Sequence, residues 1–171
     1  MKLCKAWLSV AVHDCVGDLV EPSGSVWHED FGAAEAPMVL WAHDGRGHYP
    51  IGRFVSIERR QHPSGAAGLW GGFIVDHTEL EAQLSLKLIS VSVGFYIKDA
   101  SIITTPDGFE ALHVTSWVLD ECSLVSRPCC PLAHIVEATV IEPADALKLI
   151  NKTSTDKAID RASILLRQLN K

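Results

Sequence analysis

Residues 90–97 read Ser90-Val91-Ser92-Val93-Gly94-Phe95-Tyr96-Ile97. Apolar side chains alternate with small or polar ones along this segment, which is the period of a β-strand with one face on a core. Other short apolar runs, separated by Gly, Pro and Asp, occupy residues 4–141. The pattern predicts a mainly β domain in which Ser92 lies on the strand face directed away from the core. Gly94 lies on the same face without a side chain, so the backbone of a peptide substrate is predicted to approach the Ser92 hydroxyl there.

The segments around this strand predict a hairpin and a helix. Thr105-Pro106-Asp107-Gly108 separates two apolar runs and favours a tight reversal. Thr78 and Glu81 have the spacing of a capping box, and Leu80, Leu84 and Leu88 then recur at helical spacing. The expected fold class is therefore α+β, mainly β with helices.

The carboxy-terminal part of the chain has a different composition. After Pro143 the sequence is rich in Ala, Leu, Lys and Asp, with a short helical segment near 144–150 and a second one from about 156. We expect a domain over residues 1–142 and a helical segment over 143–171. The segment is predicted to pack on the domain or to serve as a propeptide or scaffold-binding tail.

Composition narrows the possible partners and cellular compartment. The 171 residues carry a net charge of -6, which gives no overall basic surface for nucleic acid. No run approaches the roughly 20 apolar residues of a membrane span, and residues 6–12 are predicted to form a first strand. Five cysteines without regular spacing indicate no disulfide framework and favour a reducing cytosol. No cofactor or metal site is expected.

Two further side chains supply the partners that a serine nucleophile needs. A serine hydroxyl attacks when a base, usually a histidine held in one tautomer by a third group, removes its proton. His43 follows the apolar segment 38–41 and precedes a glycine-containing loop, a position that suits an active-site residue. Glu121 lies in an apolar strand, where a buried carboxylate needs a partner. His113, on the strand before it, is the alternative third member.

Four blocks of sequence occur in an order and spacing that resemble one family. They are Gly17 to Gly24, Met38 to Asp44 running into Pro50 to Arg53, Ser90 to Phe95, and Leu119 to Val125 leading through Pro128 and Pro131 to Ala133. Across residues 10–141 the chain resembles the prohead maturation proteases of tailed bacteriophages, whose fold and chemistry are similar to herpesvirus assemblin. It departs from the usual pattern at Ala42, where Asn is common, and at Cys129-Cys130.

The resemblance implies a fold, an activity and a site. The implied fold is an assemblin-like closed antiparallel β-barrel surrounded by helices, active as a homodimer. The implied enzyme is a serine endopeptidase that cleaves scaffold and major capsid protein, and possibly itself, inside the prohead in the host cytoplasm. Ser92, His43 and Glu121 match the family's catalytic positions, with His113 still open as third member, and Arg127 is expected to support the oxyanion.

Two other functions are open at this point. One is a catalytically silent structural or scaffold-interaction protein of the phage capsid with the same fold. The other is a metal-binding module built from Cys122, Cys129, Cys130 and His134, although these residues lack the paired Cys-x-x-Cys spacing of common zinc sites.

Overall fold

The computed structural model describes residues 1–43 and 50–152. Within those ranges a single sheet of nine strands carries two helices, so the mainly β, α+β class is confirmed. The strands are β1 (Lys2–Val10), β2 (Leu19–Val20), β3 (Ser25–Val26), β4 (Met38–Trp41), β5 (Gly52–Gln61), β6 (Ala67–Val75), β7 (Ser90–Thr104), β8 (Glu110–Val125) and β9 (His134–Val140). The helices are α1 (Thr78–Ser85) and α2, over residues 143–152.

Strand β8 is central in the sheet and pairs with four of the other described strands. One edge of β8 pairs antiparallel with β7 over almost its whole length, and Gly108 closes the predicted hairpin between them in a left-handed conformation. The other edge pairs in parallel with β2, then β3, then β4. From β4 the sheet continues antiparallel through β5, β6, β1 and β9. Residues that are distant in sequence therefore meet on β8.

The sheet is open where a closed barrel was expected. Strand β9 ends the strand order on one side, and β7, which among the described strands pairs only with β8, forms the edge on the other. Strand β7 contacts β1 and β9, but no ladder joins it to either one in the described part of the chain. Between β7 and β1 lies a small cavity, lined by Leu8 and Val10 on one side and by Val93 and Phe95 on the other.

The core lies on one face of β4, β7 and β8. Val39, Val91, Cys122 and Leu124 are all fully buried there. Since side chains alternate along a strand, the opposite face of the same strands carries Ser92, Gly94, Glu121 and Ser123. The strand periodicity predicted for residues 90–97 thus separates an apolar face from a polar one.

Helix α1 begins where the sequence predicts, but without its predicted cap. His77 is the residue before the helix, and no side chain caps the first turn. The Thr78–Glu81 capping box is therefore not formed, because Thr78 is already inside the helix. Leu80 and Leu84 are buried as expected, whereas Leu88 lies beyond the helix and is exposed.

Helix α2 covers the short helical segment predicted near 144–150 and continues to residue 152. Its Ala146 is buried, so this part of the carboxy-terminal segment packs on the sheet domain. The second helix expected from about 156 lies outside the described residues. No helix in the described ranges is long and apolar enough to cross a membrane.

A disulfide joins two of the five cysteines, contrary to the expectation from their spacing. Cys15 and Cys129 are 114 positions apart in sequence, and their Cα atoms lie 4.9 Å apart. The N–H of Cys15 also donates to the carbonyl of Cys129, at 2.9 Å. The pairing arises from strand order, which brings the loop after β1 to the loop after β8, and sequence spacing does not reveal it.

Loss of this disulfide is expected to lower the free energy of unfolding by about 2–4 kcal/mol, because a cross-link over a long loop restricts the unfolded chain. The measurement is denaturant unfolding of the wild type and Cys15→Ser, each with and without dithiothreitol. Reductant should destabilise the wild type and leave Cys15→Ser unchanged. Equal stability of the oxidised wild type and the variant would contradict the prediction.

Candidate active site

The side chains of His43 and Glu121 are in hydrogen-bond contact. Beyond β4, the N–H of Ala42 donates to the carbonyl of Leu124 at 3.0 Å, which extends the parallel ladder by one step. Ala42 and His43 then adopt left-handed conformations, with φ of 53° and 56°. This turn brings His43 Nδ1 to 2.6 Å from Glu121 Oε1. Left-handed backbone costs about 1–2 kcal/mol per residue outside glycine, so surrounding contacts must hold the turn.

The carboxylate of Glu121 is buried and has a partner on each oxygen. Its residue is only 7% exposed. Oε1 contacts the His43 imidazole, and Oε2 accepts a hydrogen bond from Ser123 Oγ at 2.7 Å. A carboxylate in an apolar strand is costly to bury without such partners. Both contacts fix the direction in which Oε1 points.

Gly94 leaves the space that Glu121 occupies. The two residues are directly opposite in the β7–β8 ladder. A Cβ atom on residue 94 would overlap Glu121 Oε1 and would lie 2.9 Å from its Cγ. The sequence suggested that this gap admits a substrate backbone near Ser92. In the structure the acid fills it instead.

Ser92 lies beside the His43–Glu121 pair. It is directly opposite Ser123 in the antiparallel ladder, so their side chains project from the same face of the sheet. Cβ atoms of such cross-strand pairs are about 4.5–5.5 Å apart. Ser92 is half-buried, and its hydroxyl forms no hydrogen bond with the other described residues. The serine is therefore adjacent to the pair and open to a further partner.

His113 lies far from the other candidates. It is on β8, the same strand as Glu121 and eight positions before it, which at 3.3 Å per residue is roughly 26 Å away. Its Nε2 lies 3.1 Å from Glu21 Oε1, and strand β2 pairs beside it. Of the two candidates for the orienting position, Glu121 is the one in contact with His43.

Arg127 follows the end of β8 and is exposed. It makes no hydrogen bond or ion pair with another described residue. Its backbone lies two positions beyond Val125, which pairs with Ser90. The structure therefore puts it near the start of β7 without assigning it a contact at the site.

Two cavities differ in their relation to these residues. The small cavity between β1 and β7 is lined by Ser92 itself and by mainly apolar side chains, among them Val10, Val93 and Phe95. A larger cleft of about 620 Å³ lies between the start of β5 and α2. Its lining includes Met38 but neither His43, Ser92 nor Glu121. The smaller cavity is the one that adjoins the serine.

The cysteines are not arranged as metal ligands. Burial, together with the charge of Glu121 and the neighbouring Cys4 thiol, raises the pKa of Cys122 well above its ordinary value, so its thiol stays protonated. Cys129 is in the disulfide. No group of three or more potential ligands occurs in the described ranges.

Ser123 is a site residue that the sequence interpretation missed. Its Oγ donates to Glu121 Oε2, and it also accepts the N–H of His43 at 2.8 Å. The signal was its position two residues after Glu121 on a strand, which puts both side chains on one face. Its burial depends on the pairing of β4 and β7 with β8, which the sequence does not specify.

Comparisons of the chain with protein-family models, curated protein sequences and solved structures give no match. No family is therefore assigned, and the chain is characterised by its fold class and the residues of its site. The chain is an α+β protein with an open mixed sheet, in which a buried carboxylate contacts an exposed imidazole on the sheet face that also carries a half-buried serine.

Proposed function

We propose that this chain is a serine endopeptidase with Ser92 as nucleophile, His43 as base and Glu121 as the acid that orients His43. The observation that carries the proposal is the 2.6 Å contact of His43 Nδ1 with buried Glu121, on the sheet face that also bears Ser92. Serine hydrolases on unrelated folds share this set of residue types, and they are recognised by geometry and roles.

The proposed chemistry follows from which ring nitrogen is engaged. Glu121 accepts a hydrogen bond from Nδ1–H, which leaves Nε2 as the basic nitrogen. As Ser92 Oγ bonds to the substrate carbonyl carbon, Nε2 takes the hydroxyl proton. His43 then delivers this proton to the leaving amine as the peptide bond breaks and an acyl-enzyme forms. Water, deprotonated by the same imidazole, attacks the acyl carbon; the bond to Ser92 Oγ breaks, the imidazolium returns its proton to Oγ, and the acid product leaves.

The Ser92 hydroxyl forms no hydrogen bond with the other described residues, which is compatible with its role as the nucleophile. Hydrogen bonds between a nucleophile and its base are often long or poorly aligned without substrate and tighten when it binds. Arg127 is proposed as an oxyanion-supporting residue only by resemblance.

The biological setting is also part of the proposal. By resemblance to the prohead maturation proteases, the substrates are phage scaffold and major capsid protein, and possibly the chain itself. The enzyme would act as a homodimer inside the prohead, in the host cytoplasm. The assemblin-like fold belongs to this proposal too, in a form whose sheet is open between β7 and β9.

One observation favours the silent structural role as a second candidate. The outer part of the β7–β8 hairpin exposes several large apolar side chains, namely Tyr96, Ile97, Ile102 and Phe109. Exposed apolar surface of this kind commonly contacts another protein. A capsid or scaffold component could use it without any chemistry at Ser92.

Labelling with a fluorophosphonate probe distinguishes the two functions. Concentrated protein is treated with the probe and digested, and the adduct is located by mass spectrometry. We expect one adduct, on Ser92, since only an activated hydroxyl reacts rapidly. High concentration ensures that a dimer is populated if activity requires one. Absence of any adduct with the dimer present would favour the structural role.

A further inference from the structure

Ser123 connects the backbone of one proposed catalytic residue to the side chain of another. Its hydroxyl oxygen accepts the His43 N–H at 2.8 Å, and its hydroxyl proton is donated to Glu121 Oε2 at 2.7 Å. The residue has no exposed surface. One buried hydroxyl therefore contacts both partners of the His43–Glu121 pair and uses its donor and an acceptor lone pair to do so.

Each of these bonds restrains a different degree of freedom. The bond to the His43 amide holds the second of two successive left-handed residues, the turn that returns the imidazole over β8. The bond to Oε2 prevents rotation of the carboxylate, so that Oε1 stays directed at Nδ1. Without the hydroxyl, both the base and the acid could move independently.

The two opposed serines, Ser92 and Ser123, differ in what they can do. Ser123 is fully buried, and its proton is already committed to Glu121. Ser92 is half-buried and has no bonded partner among the described residues. Burial excludes attack by Ser123 on a peptide and leaves it a role in geometry.

We infer that Ser123 is a positioning residue that holds His43 and Glu121 in their mutual orientation, an inference that rests on the proposed hydrolase function. It acts through these two residues and contacts no substrate. Its loss should therefore lower kcat and leave KM nearly unchanged, since substrate binding does not use it. The effect should be about 10-fold to 100-fold, the scale of one hydrogen bond to a charged group.

The test uses two kinds of Ser123 variant. Ser123→Ala removes the hydroxyl, and Ser116→Ala on the same strand, away from the site, is the control. Thr and Val have the same shape, so Ser123→Thr and Ser123→Val share any packing cost and differ only in the hydroxyl. The first readout is the rate of fluorophosphonate labelling of Ser92. The second is the low-field NMR resonance of the His43 Nδ1 proton, which reports the hydrogen bond to Glu121 without catalysis.

We expect Ser123→Ala to label about 10-fold to 100-fold more slowly than wild type and to lose the low-field resonance, while Ser116→Ala behaves as wild type. If Ser123→Ala does not fold, Ser123→Thr should still label at least about 10-fold faster than Ser123→Val. Equal rates and an intact resonance in the variants without a hydroxyl would overturn the inference. Failure of the wild type to label would instead contradict the proposed hydrolase function. The low-field resonance alone would then show whether Ser123 holds His43 against Glu121.

Discussion

Ser92→Ala is expected to abolish the acylation burst with p-nitrophenyl acetate and to reduce turnover by about 10⁴-fold or more. This activated ester needs no side-chain pocket, so it tests the nucleophile separately from substrate specificity. The magnitude is that seen when a serine hydrolase loses its nucleophile and retains only binding and oxyanion stabilisation. The measurement is stopped-flow release of p-nitrophenolate at high enzyme concentration.

His43→Ala should produce a similar loss, and the double variant should be no worse than either single one, because the two residues act as a unit. Ser90→Ala is the matched control. Ser90 lies two positions before Ser92 on the same face of β7, opposite Val125. A burst that survives in Ser92→Ala, or that disappears equally in Ser90→Ala, would be incompatible with Ser92 as the nucleophile.

Glu121→Gln is expected to lower the same turnover by about 10³-fold to 10⁴-fold at neutral pH. A glutamine amide has nearly the same shape as the carboxylate, but it can direct an N–H at His43 Nδ1. That contact would favour the tautomer with its proton on Nε2, which cannot take the proton of Ser92. The comparison is made on wild-type and variant proteins of equal unfolding midpoint.

Gly94→Ala tests the same contact from the opposite strand. The added Cβ would overlap Glu121 Oε1, so the carboxylate must leave its position against His43. Activity should fall sharply although residue 94 carries no reactive group. In a background with Glu121→Ala there is no carboxylate to displace, and Gly94→Ala should have little further effect. Full additivity of the two changes would indicate that Gly94 acts by another route.

Local patterns predicted most of the strands around the site. The alternation of apolar and polar residues over 90–97 predicted which face of β7 is buried. Residues Thr105 to Gly108 predicted the hairpin between β7 and β8. These features depend on neighbours in sequence, so composition and period are sufficient to find them. The same patterns did not reveal that the sheet remains open between β7 and β9, which depends on how β7 packs against β1 and β9, two strands distant from it in sequence.

The site was less predictable, since its members meet through pairing register. Ser92 and His43 were candidates by residue type and position, but the choice between Glu121 and His113 required the parallel register of β4 on β8. Two residues in that region were misinterpreted or missed for the same reason. Gly94 accommodates the acid rather than a substrate, and Ser123 is buried only because β4 and β7 flank it.

The central position of β8 has a consequence for the protein during its synthesis. His43 and Ser92 leave the ribosome before Glu121 and Ser123, because chains are made from the amino terminus. Until the whole of β8 has emerged, β4 has no partner strand on that side and the turn at His43 has nothing to hold it. A nascent chain would thus carry the proposed nucleophile and base without an assembled site, and could not cleave its neighbours on the same messenger RNA.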